Sequence, residues 1–120
     1  MTNKTIVSEE ARNYIGRIAP KLGCDFTYAP SFPEGRQDVC VVSHAAEDGS
    51  TYGFDTLYLV WKTKDGKIQH REIANSRGTK EYIGIRSIKV DGDQVTVEYG
   101  GSGVYSGSPW SGSRTASIGD

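Results

Sequence analysis

Leu57-Tyr58-Leu59-Val60-Trp61 is the most apolar run in the chain, and Lys64-Asp65-Gly66-Lys67 follows it closely. Asp-Gly is a favoured pair where a hairpin turn needs positive φ. The run therefore reads as the first limb of a hairpin whose second limb is Ile68 to Ala74. A second hairpin follows, with limbs Tyr82–Val90 and Gln94–Tyr99 around Asp91-Gly92-Asp93. Its last limb alternates cleanly, placing Val95, Val97 and Tyr99 on one face and Thr96 and Glu98 on the other. Two successive hairpins make a mainly antiparallel sheet the expected frame of the fold.

Two limbs break the alternation. Ile68 and Ile73 have opposite parity, and Gln69-His70-Arg71-Glu72 between them is polar. A β-bulge reconciles the two faces; the alternative is an edge strand whose charges discourage edge-to-edge pairing. Either arrangement turns His70 and Arg71 to opposite faces. Tyr82-Ile83-Gly84-Ile85 and Ser87-Ile88-Lys89-Val90 likewise change parity, with Arg86 at the break. Gly84 fits a bend or a close backbone approach.

Towards the N-terminus, Val39-Cys40-Val41-Val42 is apolar on both strand faces. Such a strand is expected to be covered on both sides, or shielded on one by a helix. Cys40 reads as a small core residue. The helix is expected from Ser8 to about Ala19. Ser8 suits an N-cap, and Glu9 and Glu10 suit the positive end of the helix dipole. Ala11, Tyr14, Ile15, Ile18 and Leu22 recur at helical spacing, and Pro20 stops the helix at Ala19. Phe26 and Tyr28 alternate as in a short edge strand, before a loop over Ala29–Arg36 containing Pro30, Pro33 and Gly35. Tyr52 and Phe54, either side of Gly53, extend the following strand inward or form an aromatic loop tip.

Towards the C-terminus, 12 of the 21 residues from Gly100 to Asp120 are Gly or Ser. That composition predicts a flexible segment. At most one short strand is expected there, near Val104 and Tyr105, with Trp110 as an anchor on the body or on another subunit. The fold class is thus α+β: one N-terminal helix packed on a mainly antiparallel meander sheet or small sandwich of about five to seven strands. Residues 1–99 form the single domain, with the helix at about 8–19 and strands at about 38–44, 57–63, 67–74, 82–90 and 94–99; residues 100–120 are the Gly/Ser-rich segment.

The 120 residues carry 14 Lys+Arg against 15 Asp+Glu, so overall charge argues neither for nor against nucleic acid. The distribution is uneven. Residues 62–89 hold 8 Lys/Arg against 3 Asp/Glu, while 1–61 and 90–120 each carry a net −3. A positive middle of this kind steers an anionic partner over about one Debye length, ~8–10 Å. Two cysteines are too few for a disulfide framework. No apolar run approaches the ~18–20 residues of a membrane span. A cytoplasmic, soluble protein is the default expectation.

No motif joins Cys24, Cys40, His44, His70 and the carboxylates into a catalytic group. Metal-ligand spacings are missing, and no metal or cofactor is expected. Gly100-Gly101 lacks the lysine and following helix of a phosphate loop. What remains is the positive middle. Arg77 and Lys80 lie in a polar loop with Gly78, while Arg71 and Arg86 come from adjoining strands. His70 adds a pH-dependent donor and Tyr82 an aromatic surface. The preferred reading is a non-catalytic binding protein of the inhibitor or accessory-subunit type. Its contacts, Arg71, Arg77, Lys80, Arg86, His70 and Tyr82, would meet an acidic protein surface or a phosphorylated or nucleotide ligand. Nucleic acid is compatible with the charge but has no motif behind it. One alternative is a small hydrolase or transferase with His70 or His44 as general base. Another is a structural homo-oligomer held by its C-terminal segment.

Overall fold

The two-sided apolar pattern of Val39-Cys40-Val41-Val42 decides how the layers stack. The computed structural model describes residues 4–21, 23–47, 54–76, 82–103 and 107–119. Helix α1 (Ser8–Ile18) precedes strands β1 (Cys24–Thr27), β2 (Val39–Glu47), β3 (Phe54–Lys62), β4 (Ile68–Asn75), β5 (Ile83–Asp91), β6 (Gln94–Gly101) and β7 (Trp110–Ser117). All pairings are antiparallel and form two meanders, ordered β1-β2-β3-β4 and β5-β6-β7. The fold is α+β: a small sandwich with one helix on the outer face of the four-stranded sheet.

Val39 and Val41 enter the core between the sheets, with Leu57, Leu59 and Trp61 from their own sheet and Val95 and Val97 from the other. Cys40 and Val42 turn the opposite way, onto Ile6, Ala11 and Ile15 beside Tyr58 and Val60. The four-stranded sheet is therefore covered on both faces, as its sequence requires. Burying an aliphatic side chain of this size contributes about 1.5–3 kcal/mol. Cys40 is a free thiol in this layer, and burial pushes it up to about 12, so it is inert.

The helix starts one position from the expected cap. Val7, not Ser8, is the N-cap, with extended backbone and no side-chain hydrogen bond. Ile6 explains the shift: it is fully buried, and its N–H donates to the Gln37 carbonyl at 2.8 Å, which fixes where the chain enters the helix. At the other end Ala19 is extended (φ −69, ψ 146), as the residue before a proline tends to be.

Both parity breaks are β-bulges. Leu57 pairs with Ala74 and Tyr58 with Glu72, so Ile73 is the extra residue; it turns into the inter-sheet core while Ile68 packs on the helix side. Ile85 pairs with Tyr99 and Ser87 with Glu98, so Arg86 is the extra residue of the second bulge.

The C-terminal segment departs from its composition. Trp110–Ser117 is an eight-residue strand paired along the length of β6, not irregular chain. Ala116 and Ile118 are core residues, and Trp110 packs against the same inter-sheet core. Its small residues are what the strand needs: an added Cβ at Gly112 would come within 2.9 Å of the Tyr99 ring. The strand expected near Val104 and Tyr105 lies outside the described residues, as do Tyr52 and Gly53. No helix among the described residues is long and apolar enough to cross a membrane.

Candidate functional site

Arg86 is positioned by its bulge. An unpaired extra residue bends its strand and re-aims its own side chain. Here the neighbouring inward residues, Ile83 and Ile85, belong to the inter-sheet core. Arg86 instead lies over Gly100 on the outer face of the three-stranded sheet. An added Cβ at Gly100 would stand 2.5 Å from the Arg86 Nε, 2.6 Å from its Nη2 and 2.6 Å from the Trp110 carbonyl oxygen. Only glycine leaves room for the guanidinium at this point.

Two open grooves share Arg86 as a wall. One, of about 560 Å³, runs past Glu98, Trp110, Ser111 and Ser113. The other, of about 440 Å³, runs past Tyr82, Gly84, Gly100 and Ser102. Tyr82 is 46% exposed. The charges on this face are not equivalent. Lys89 Nζ is 3.3 Å from Glu98 Oε1, which also accepts the Ser87 hydroxyl at 3.0 Å. The Ser87 hydrogen bond, then Lys89, hold the Glu98 carboxyl below its usual range. Arg86 makes no hydrogen bond or ion pair among the described residues. It is the available cation of the groove.

The other expected contacts do not all join it. Arg71 sits on edge strand β4 opposite Leu59 and is exposed. Arg77 and Lys80 lie outside the described residues. His70 is opposite Val60, on the helix side of the four-stranded sheet. Its Nδ1 is 2.8 Å from the Tyr14 hydroxyl, and its ring stands edge-on to Tyr14 and Tyr58. Arg86 and Tyr82 come together; both sheets separate them from His70.

His44 is a core side chain. Its Nε2 lies 3.2 Å from the Pro20 carbonyl, which can only accept, so Nε2 carries the proton. Its Nδ1 then accepts the Thr27 hydroxyl at 3.0 Å. Both ring nitrogens are engaged, leaving no lone pair for a substrate proton.

Asp55, at the start of β3, had no signal in the sequence beyond one polar residue ahead of an apolar run. It is buried, 4% exposed, and its Oδ2 accepts the Ile83 N–H at 3.1 Å. Its backbone N–H donates to the Ser76 hydroxyl, and its carbonyl accepts the Ser76 N–H. One residue thus fixes both Ser76 and Ile83, the flanks of the expected cationic loop. Burial raises its pKa to about 6, outweighing the Ile83 amide and the Ser43 hydroxyl, which favour the charged form. Among the described residues, no group of three or more His, Cys, Asp or Glu side chains is placed to hold a metal ion.

Comparison with known proteins gives no match to a family model, a curated protein or a solved structure.

Proposed function

We propose that this chain is a non-catalytic binding protein that engages an acidic surface of a protein partner through Arg86. The carrying observation is the placement of Arg86: a bulge aims it, Gly100 makes room for it, and it forms no ion pair among the described residues. The shape of the site favours a protein partner over a small phosphorylated ligand. The grooves are open channels, and Lys89, the neighbouring cation, is already paired with Glu98. A phosphate usually draws several convergent donors, whereas one arginine with flanking serines and aromatics suits a carboxylate side chain on a larger surface.

Neither histidine lends support to the hydrolase or transferase alternative. His44 is bonded at both nitrogens, and Nδ1 of His70 meets a phenol rather than an orienting carboxylate. The assembly alternative loses its main argument, because the C-terminal strand completes the chain's own sheet.

The test is titration of a fluorescein-labelled oligoglutamate peptide, followed by anisotropy at low and at physiological salt. Arg86→Glu should weaken binding roughly tenfold or more, equivalent to about 1.4 kcal/mol. Unchanged affinity in that variant would remove the proposal.

A further inference from the structure

The free side of β1 carries features that neither the core nor the Arg86 groove uses. β1 is the outermost strand of the four-stranded sheet. Tyr28 N–H donates to the Ser43 carbonyl, so in this antiparallel ladder Asp25 and Thr27 point their N–H and C=O groups away from β2. Thr27 lies on the helix side, where it bonds His44. Phe26 and Tyr28 therefore lie on the other face, and they remain 67% and 45% exposed. On the helix side, a groove of about 500 Å³ runs between α1 and β1, walled by Arg12, Asn13, Gly16 and Arg17. Neither arginine has a hydrogen bond or ion pair among the described residues. Asp25, the carboxylate in that groove, lies 3.9 Å from the His44 Nε2.

Among the described residues, β1 has a free edge with two cations without a partner on one side of it and two exposed aromatics on the other, and this pattern matches an alternating ligand. We infer that this edge receives an extended acidic segment of another protein, which adds to β1 as a further strand. Its carboxylates face Arg12 and Arg17, and its intervening apolar side chains cover Phe26 and Tyr28. Main-chain hydrogen bonds supply affinity in this mode, and the alternating side chains supply specificity. The site is separate from Arg86, so it stands or falls on its own.

The probe is a synthetic peptide of alternating glutamate and valine, and the readout is amide hydrogen exchange in the intact chain. Free edge amides exchange fast; amides taken into a ladder are protected. Exchange at Asp25 and Thr27 should slow by about tenfold or more on peptide addition. The protection should be lost with an alternating lysine–valine peptide and in the R12E/R17E variant. Asp25→Pro should also lose binding. It removes an outward N–H while keeping the strand, since proline is tolerated where the N–H faces solvent. R86E should bind the peptide at β1 as the parent does. Failure of the intact chain to protect these amides, equal protection by the lysine peptide, or protection surviving in R12E/R17E would overturn the inference.

Discussion

The carboxylate of Asp55, on the first strand residues of β3, accepts the backbone amide of Ile83, the first residue of β5, at 3.1 Å. This bond ties one sheet of the sandwich to the other where the chain passes between them. The Ser43 hydroxyl lies beside the same buried carboxylate.

The latch makes stability depend on pH. Asp55 titrates at about 6 in the folded chain against an ordinary 3.8. The folded state therefore holds a proton that the unfolded chain releases. Its contribution is complete below the ordinary value, declines as pH rises through the window, and is gone above the folded one. The size is on the order of 3 kcal/mol. Asp55→Asn keeps an acceptor for the Ile83 amide and cannot titrate. Urea unfolding of both proteins across the window should show the variant gaining on the parent as pH rises. A constant difference would contradict this account.

Gly100→Ala should disturb the face that holds Arg86. The new methyl meets both the guanidinium and the Trp110 carbonyl. Arg86 can swing away, but the carbonyl belongs to the paired strand β7, so overpacking costs about 1–3 kcal/mol. Denaturant unfolding measures the loss, and the oligoglutamate titration should show weaker binding in the same variant.

Gly66→Ala isolates backbone strain. Gly66 sits at φ 86 with nothing near an added Cβ, so the substitution meets no clash. The cost should be about 1–2 kcal/mol from the left-handed conformation alone, read as a lower denaturation midpoint with an unchanged slope.

Removing residues 107–120 should cost the fold and not merely a tail. The deletion takes away the partner of β6 together with Ala116 and Ile118 from the core. Loss of dispersed amide signals and of cooperative unfolding is expected. A truncated chain that unfolds like the parent would contradict the sheet assignment.

How much of this was legible in the sequence varies by segment. Both parity breaks were visible, in Ile68 against Ile73 and in Ile85 against Ile88, with a bulge as one of two readings of the first. The double cover of Val39–Val42 was visible from its two apolar faces. β7 was hidden by its residues: Ser111, Gly112 and Ser113 read as linker, while the Tyr99 ring over Gly112 is a contact no local pattern carries. The candidate site was half legible. Charge clustering pointed to Arg86, and the parity break at Arg86 was seen, but the distance in space between His70 and Arg86 depends on how the two sheets stack. Asp55 stayed hidden because burial of a single carboxylate is a tertiary property.

The central claim is that Arg86 is the residue an acidic partner meets. The most direct measurement follows the Arg86 Nε–H signal in a ¹H–¹⁵N spectrum during titration with oligoglutamate. The account predicts a saturable shift of that signal, with the same midpoint as the anisotropy curve and reduced by added salt. Saturable binding with the Arg86 signal unmoved would contradict it.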